Sequence, residues 1–578
     1  MVRRASALGL LFLLIAGCVN PQTRAKMAEE AERERDLDVR TVGDVSIVGN
    51  VAPMQVQGVG LVMGLSGTGH SPPGFYRGLL EQYLLKNSGN RGGEIVNEVQ
   101  TKRVRQVLDD PNNCLVIVKG YIPAGARRGD LFDVEVTLPE GSKASSLAGG
   151  SLQICPLRVW EAEANLSERM AASSKMVSGH VYATAKGQLV VAFGNNQDPN
   201  ELRRGRIWQG ASSRIDRAYA FMMRNDDKSL RAANDVAQRI NFMYQDEQKQ
   251  IMLAGLAMNQ LNQKHDPNGA TQTEMAKAAS KDIINVRVPL AYRHDHERFL
   301  RVARLTPLHD KDPDLPRYRK RLEKMLQEPR DTVRAALRLE AMGRDSIPSL
   351  KAGLDNSHPF VRFACAESLA YLSSPAGVDE LAQLATEHSL LTTHGTLALA
   401  SLGENVCRHK LADMLVSSEP AVRCAAFHAF TLLDETDHRL GGVHLHDSFW
   451  LYRQPMVPNN MVYYSTARRA QVVLFGRNIT LSPKTRMLVG KDFTVTMNEG
   501  DGQCTVKRIT TAGEEKRVTT SRLDDVLTAL SDVCAAYPDI VDFLRRAGEY
   551  QYINCPVSNW TVPSVPLETL IADGQNLR

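Results

Sequence analysis

The sequence predicts an α+β multidomain fold, in which β-rich domains are interrupted by an inserted α-helical solenoid of the HEAT type. Two observations carry this prediction. Apolar and polar residues alternate through Phe132–Leu138, as they do in a strand with one wet face. Much later, similar apolar helical segments recur about 30 residues apart. At 578 residues the chain is also too long for one hydrophobic core.

The first 18 residues have the parts of a lipoprotein export signal. Arg3 and Arg4 give the positive start, Leu8–Ala16 the short apolar core, and Cys18 the cysteine that would be lipidated. The alternative is an ordinary cleaved signal peptide with an incidental cysteine. Val19 follows where an aspartate would, by resemblance to the proteobacterial sorting rule, retain the protein at the inner membrane. We therefore expect a lipid-anchored periplasmic protein, held at the outer membrane.

Composition excludes one partner class. The formal net charge of +5 becomes +3 (5 − 2) once Arg3 and Arg4 leave with the signal, which is too little for phosphate-backbone binding, so no nucleic acid is expected. No cysteine pair has the C-x-x-C spacing of a metal site. Cys365 and Cys424 lie in apolar helical patterns and are expected to be buried. Pairing among the C-terminal cysteines stays open.

The first folded region is predicted to be β-rich. Besides Phe132–Leu138, strands are predicted at Cys114–Tyr121, Ser151–Leu157 and His180–Phe193. Gly64–Ser71 fits a phosphate-binding loop except that His70 replaces the lysine, and Pro72, Pro73 and Gly74 separate it from any helix. We therefore interpret these glycines as backbone freedom in a packed β region.

Several ordered motifs resemble the flagellar P-ring protein family. The glycine run from Gly58 to Gly69 is similar to its N-terminal hallmark, and Tyr121-Ile122-Pro123 followed by Arg128-Gly129-Asp130 continues the match. Ser145–Leu157 is similar to the family's S-L-x-G-G-x-L-x-x-T-P-L, and Tyr182–Gly187 to its Y-A-x-A-Q-G strand. The resemblance implies a homo-oligomeric ring subunit without catalytic turnover.

The resemblance extends into a helical segment. Asp226 or Asp227 is the predicted N-cap of an amphipathic helix that begins near Leu230. Ile284–Pro289 is similar to the family strand that follows, and Glu297–Leu300 to the short helix after it.

The inserted array follows. Four apolar helices are predicted, at Val333–Gly343, Val361–Ser373, Leu391–Gly403 and Val422–Asp434. Pro359 and Pro420 are placed to begin two of them. Such helix pairs stack into a solenoid whose curved surface usually binds protein. The alternative is a plain helical domain with accidental periodicity.

After the array the family pattern resumes. Strands are predicted at Ala470–Gly476, Asn478–Pro483 and Phe493–Met497. A helix with a capping-box-like start at Ser521–Asp524 comes next, and a second helix from Pro538 is expected to end before Gly548. The pair resembles the family's closing helices, so this block is expected to complete the interrupted domain.

These observations divide the chain into seven parts. They are a signal peptide (1–17), a charged tether (18–43), a β-rich P-ring-like domain (44–200), a helical and α+β P-ring-like segment (201–310), the HEAT-like insertion (311–440), a C-terminal β segment plus helix pair (441–556) and a tail (557–578).

Two H-x-H pairs are the best candidates for chemistry. His294 with His296, and His444 with His446, would each present two imidazoles on one strand face, and they flank the insertion, so together they could bind zinc. Histidines in polar loops are more often simply solvated, and no glutamate is placed as a general base. We therefore predict no metal, no cofactor, no catalytic residue and no enzyme, with a metal-dependent enzyme as a remote alternative.

The predicted function is structural. By the resemblance, the chain forms a homo-oligomeric ring, a bushing around the flagellar rod in the periplasm, as part of the bacterial flagellum basal body. The implied partners are other copies of itself, the rod, other basal-body ring proteins, peptidoglycan and, through Cys18, a membrane; no small-molecule substrate is expected. The alternative is a non-flagellar lipoprotein adaptor or scaffold whose HEAT-like array binds a protein partner.

Overall fold

The computed structural model describes residues 39–88, 98–161, 177–191, 200–244 and 274–559, apart from a few single or paired positions in the last range. The predicted signal peptide, the predicted lipidation site Cys18, positions 18–38 of the predicted tether and most of the tail lie outside the described residues. Within the described part, no helix is both long and apolar enough to cross a bilayer.

The first folded unit is a closed antiparallel barrel. Its elements, with those just before it, are α1 (Val42–Val45), β1 (Ser46–Gly49), β2 (Met54–Met63), α2 (Phe75–Ser88), α3 (Glu98–Asp109), β3 (Cys114–Ile122), β4 (Leu131–Thr137), β5 (Ser151–Glu161), β6 (Val177–Gln188), β7 (Val190–Val191) and β8 (Arg204–Ser213). The strand order is β4-β3-β2-β5-β6-β8-β7, and pairing of β4 with β8 closes the ring of strands. Three of the four strands predicted in this region are present as β3, β4 and β5. The fourth, His180–Phe193, is divided at Leu189 into β6 and β7, and positions 192 and 193 lie outside the described residues.

Alternation along each strand fills the barrel. Val134 and Val136 are buried on β4 whereas Asp133 and Glu135 are exposed, and the two valines join Val118, Leu157 and Ile207 in one core. Closure leaves β4 and β8 without the free edges that an open sheet would have. The helices α2 and α3 cover one side, where Leu80 and Leu108 pack against Leu115.

The glycine run lies partly in β2 and partly in the loop before α2. A Cβ on Gly58 would lie 2.4 Å from the Pro156 carbonyl oxygen, so this strand approaches β5 more closely than any side chain allows. The loop is held by protein groups, since His70 Nδ1 accepts from the Lys143 amide. The run therefore serves strand packing, as the sequence indicated.

A second sheet follows, with its own helices. It is formed by β1, β9 (Tyr219–Met223), β11 (Ile283–Val286) and β10 (Ala276–Ala278), in the order β1-β9-β11-β10. Beside it lie α4 (Leu230–Met243) and α5 (His296–Leu305). The N-cap of α4 is Ser229, whose hydroxyl accepts from the Ala232 amide. The predicted caps Asp226 and Asp227 were wrong, because both lie in a preceding 3₁₀ turn.

Paired helices occupy the middle of the chain. They are α6 (Leu315–Leu326), α7 (Thr332–Ala341), α8 (Ile347–Gly353), α9 (Pro359–Tyr371), α10 (Val378–Glu387), α11 (Thr392–Leu402), α12 (Asn405–Leu415) and α13 (Pro420–Leu433). The four predicted apolar helices are α7, α9, α11 and α13, and Pro359 and Pro420 begin two of them. Each of these four contacts the next, which makes an inner layer, while the intervening helices lie outside it.

The C-terminal block has two sheets and two helices. The strands are β12 (Gly442–Leu445), β13 (Phe449–Gln454), β14 (Met461–Tyr464), β15 (Gln471–Phe475), β16 (Arg486–Val489), β17 (Phe493–Met497), β18 (Gln503–Thr510), β19 (Gly513–Thr520) and β20 (Val557–Ser558). The helices are α14 (Leu523–Asp532) and α15 (Tyr537–Glu549). One sheet has the order β12-β13-β15-β14-β20 and the other β16-β17-β18-β19.

Three details of this block differ from the sequence prediction. Asn478–Pro483 forms isolated bridges at Thr480 and Leu481 instead of a strand. Ser521 does not cap α14, whose N-cap is Arg522. Helix α15 continues through Gly548 to Glu549, and the glycine is explained by packing, since a Cβ there would lie 3.0 Å from the Val557 side chain.

The C-terminal block pairs its strands only with one another among the described residues, and it has a core of its own. It meets the barrel where Trp208 stacks edge-on against Tyr537, with ring centroids 5.5 Å apart. It meets α13 where Phe427 packs on Tyr452. Completion of the first domain by this block stays a prediction from the resemblance. Among the described residues, side-chain packing joins the block to the barrel, and the two share no sheet.

The cysteines after Cys18 are all free, and six of the eight are buried. Burial raises the pKa of the Cys365 and Cys424 thiols to about 12, so they act as small apolar side chains, as expected from their helical patterns.

We predict that Gly58→Ala destabilises the protein by about 1–3 kcal/mol, because the new methyl group meets the Pro156 carbonyl and must push β2 and β5 apart. Gly78→Ala is the control, since nothing lies within 4 Å of its Cβ position on helix α2, where alanine is the better helix former. Thermal unfolding measures both; equal midpoints for the two variants would show that the close strand approach is not required.

Candidate functional site

A buried guanidinium, that of Arg298 in α5, has ionic partners on two other helices. Asp295 caps this helix by accepting from the Arg298 amide at 2.9 Å, which fixes where the side chain leaves the backbone. The Arg298 side chain is only 8% exposed. A buried cation requires opposite charges and hydrogen bonds to compensate its lost hydration, so its partners define the site.

Two carboxylates on two helices hold Arg298. Nη2 and Nε donate to Glu340 of α7 at 2.7 and 3.2 Å, and Nη1 donates to Glu367 of α9 at 2.5 Å. Ser368 and Tyr292 complete the shell: Ser368 Oγ accepts from Nη2 at 3.1 Å, and the Tyr292 hydroxyl donates to Glu340 at 2.7 Å. This bidentate geometry favours arginine over lysine.

An aromatic ring covers the ion cluster. The Tyr371 ring lies 4.4 Å from the guanidinium carbon, and it stacks on Tyr292 at 5.0 Å. Burial acts to lower the pKa of Arg298, but Glu340 and Glu367 together raise it well above its usual range, so the guanidinium stays charged. Burial also raises the pKa of Tyr292 and Tyr371, which keeps both rings neutral.

A cleft of about 850 Å³ opens beside this cluster. Four parts of the fold line it: the barrel through Leu131, the segment around Arg298, the inner helix layer through His394 and Phe427, and the C-terminal block through Arg469. Its charges are paired, since Arg301 bonds Glu297 and Arg469 lies 2.8 Å from Glu435. The cleft therefore marks where these four parts of the fold meet.

The predicted histidine candidates have separate surroundings. His294 lines the cleft, and His296 contacts the Tyr219 hydroxyl at 3.3 Å while burial lowers its pKa. His444 stacks on Trp450 with centroids 4.8 Å apart, and His446 contacts Ser531 at 2.9 Å. No cluster of three or more metal-binding side chains occurs in the described ranges, so the two pairs do not build a joint zinc site there.

The part of the chain that contains the first two sheets is similar to known proteins. Residues 41–309 match the family model of the flagellar P-ring protein. This match covers somewhat under half of the chain, and it includes the barrel, the second sheet and α5.

Individual relatives agree with the match. Flagellar P-ring protein 2 of Chromobacterium violaceum is 27% identical over 186 residues, which are 30% of this chain and 42% of the relative. The Helicobacter pylori P-ring protein is 26% identical over 184 residues, 32% of this chain and 44% of the relative. That of Albidiferax ferrireducens is 34% identical over 179 residues, 29% and 39% respectively. The chain thus spans less than half the length of these relatives.

The ion cluster spans the end of the residues that match the family model. Arg298 lies inside the matched residues 41–309, whereas Glu340 and Glu367 lie beyond them. The cluster therefore joins the P-ring-like part to the helices that follow it. Sequence reasoning missed this site; its signal was a glutamate within each of two apolar helix stripes, Arg338–Ala341 and Cys365–Ser368.

We predict that Arg298→Ala lowers the free energy of unfolding by about 3–5 kcal/mol, because it leaves two buried carboxylates without their counter-charge. Arg301→Ala, on the same helix, removes an exposed pair with Glu297 and should cost at most about 0.5 kcal/mol. Urea unfolding measures the loss of free energy for both variants, provided that the dependence of this free energy on urea concentration is the same in each. Equal losses for the two arginines would refute the role given to the buried cluster.

Proposed function

We propose that this protein is a structural lipoprotein of the bacterial cell envelope, which forms a homo-oligomeric, P-ring-like ring around the flagellar rod in the periplasm. The observation that carries the proposal is the match of residues 41–309 to the P-ring family, over residues that fold as a barrel joined to a second sheet. The role is mechanical, as a bushing with no catalytic turnover.

A ring places a geometric demand on the subunit. Identical subunits related by rotation must contact each other through two different surfaces, a heterologous interface that closes on itself. The barrel and the C-terminal block are separate units with separate cores, so each offers its own outer surface for such a contact. Other basal-body ring proteins, the rod and peptidoglycan are the further partners of this proposal.

Helices α6–α13 form, in this proposal, a HEAT-type array inserted into the P-ring-like chain, over about residues 311–440. Support comes from the alternation of inner and outer helices and from the proline at the start of α9 and of α13. A plain helical domain would lack this repeated pairing. Because Arg298 ties the array to α5, the array would move as part of the subunit.

Cys18 gives the proposed location. Acyl chains on Cys18 would anchor the protein, and Val19 beside it favours the outer membrane. The residues between Cys18 and Val39 would then act as the tether between membrane and folded body.

Electron microscopy of protein extracted from membranes in mild detergent tests the proposal. We expect closed rings built from copies of this chain, enriched in fractions that contain basal bodies. A monodisperse particle near the mass of one chain, 63.9 kDa, would remove the ring and favour the alternative of a monomeric adaptor whose array binds a periplasmic partner.

The anchor is checked in the same preparation. Cys18→Ser should abolish incorporation of a fatty-acid label, whereas Cys534→Ser, at an exposed cysteine of the folded part, should leave it unchanged. Labelling that survives Cys18→Ser would place the acyl chain elsewhere and would contradict the lipoprotein assignment.

A further inference from the structure

Apolar side chains from three parts of the fold line the cleft of about 850 Å³. Leu397 and Phe427 come from the inner helix layer, Leu131 from β4 and Tyr463 from β14. Leu131 is 55% exposed, which is unusual for a large apolar side chain on a strand. The volume lies within the range of about 300–1,000 Å³ that is typical of protein ligand sites. An apolar occupant would therefore gain from leaving water here.

Arginines of the cleft pair with carboxylates of the same chain. Arg469 lies 2.8 Å from Glu435, and Arg293 lies 3.7 Å from Asp130. A charged ligand would have to compete with these ion pairs for the arginines. The lining therefore favours an uncharged, apolar occupant.

The last described strand leads to this cleft. β20 pairs with β14 in parallel, and Ser558 lies opposite Tyr463. After β14 the chain continues through Ser465 and Thr466, and both residues line the cleft, as Tyr463 does. Because the two strands run in the same direction, the chain that leaves β20 is directed along β14 toward the cleft.

The register determines which residue would reach the cleft first. Side chains alternate between the two faces of a sheet, so positions 463 and 465 share a face, and so do positions 558 and 560. Two further residues of β20 in the same register would bring Trp560 opposite Ser465. The Trp560 side chain would then lie on the face that Tyr463 presents to the cleft.

Residues 560–567 have the composition of a segment that binds in an apolar groove, and we call them the tail segment. None of the eight residues is charged. Its apolar residues are Trp560, Val562, Pro563, Val565, Pro566 and Leu567. The two prolines restrict the backbone, which reduces the conformational entropy that is lost when such a segment binds.

We propose that the tail segment occupies the cleft of its own chain, with Trp560 beside Ser465 and its apolar side chains against the inner helix layer and β4. Burial of Trp560 and of the exposed Leu131 supplies the driving force. Only Asn559 separates the tail segment from β20, and a segment so closely linked has an effective concentration on the order of millimolar, which favours the same chain over a second copy.

Occupation of the cleft has a consequence for other partners. The tail segment would cover the inner surface of α11 and α13, so a protein that binds these helices would use their outer side or displace the tail segment. The proposal does not depend on ring assembly, because all the contacts it uses lie within one chain.

Cysteine cross-linking tests where the tail segment lies. The test uses the chain from residue 18 with Cys18→Ser and Cys534→Ser, which removes the exposed thiol, and adds Val562→Cys with Thr466→Cys. A short bis-maleimide should join these two cysteines within one chain in dilute protein. The control pair is Val562→Cys with Lys516→Cys, at an exposed position of β19, and it should cross-link about tenfold more slowly.

Two outcomes of the cross-linking would overturn the proposal. Equal rates for the two pairs would show that the tail segment has no fixed site. Cross-linked dimers in place of monomers for the Thr466 pair would show that the cleft holds the tail segment of a second copy.

Peptide binding tests the apolar contacts separately. A fluorescent peptide of residues 560–571 should bind the chain that is ended at Asn559, which retains every described residue. Leu131→Asp should weaken this binding by about tenfold, because it removes an apolar contact of the cleft. Leu488→Asp is the matched control, at a leucine of β16 that is 52% exposed, and it should leave the affinity unchanged.

The full-length chain provides the last comparison. It should bind the peptide about tenfold or more weakly than the shortened chain does, because its own tail segment competes for the cleft. Absence of binding to the shortened chain, equal weakening by the two leucine variants, or equal affinity of the full-length and shortened chains would contradict the proposal.

Discussion

The structure depends on one buried cation. Arg298 is removed from water, and two carboxylates compensate its charge from two different helices, Glu340 on α7 and Glu367 on α9. A guanidinium in this position accepts few arrangements, because its fork must meet both carboxylates in plane while Tyr371 covers its face. The ion cluster therefore fixes α5, which belongs to the residues that match the P-ring family model, against helices α7 and α9.

Packing contacts connect this junction to the rest of the molecule. The inner helices contact one another in series from α7 to α13, and α13 carries Phe427 to Tyr452 of the C-terminal block. That block returns to the barrel through Tyr537 and Trp208, so the chain closes on itself around the cleft. Helices α7 to α13 are therefore held at both ends, by the Arg298 cluster at one end and by Phe427 against Tyr452 at the other.

Much of this was predictable because local patterns and tertiary structure agree. Alternation predicted β4, apolar helical spacing predicted α7, α9, α11 and α13 but not the helices between them, and the prolines predicted where α9 and α13 begin. Prediction failed where a single interaction outside the local pattern determines where a helix begins or ends. Ser229 outcompetes Asp226 and Asp227 as the cap of α4, and Val557 explains why helix α15 retains Gly548. Barrel closure and the Arg298 cluster join residues far apart in sequence, so no window of sequence contains them.

Native-state hydrogen exchange tests most directly whether the P-ring-like part and the helices that follow it form one cooperative body. The account predicts that amides of α5, α7 and α9 exchange with the same opening free energy in the wild type, and that Arg298→Ala lowers protection in all three helices together. Separate opening free energies for α5 and for the array in the wild type, with protection of α7 and α9 unchanged in Arg298→Ala, would contradict it.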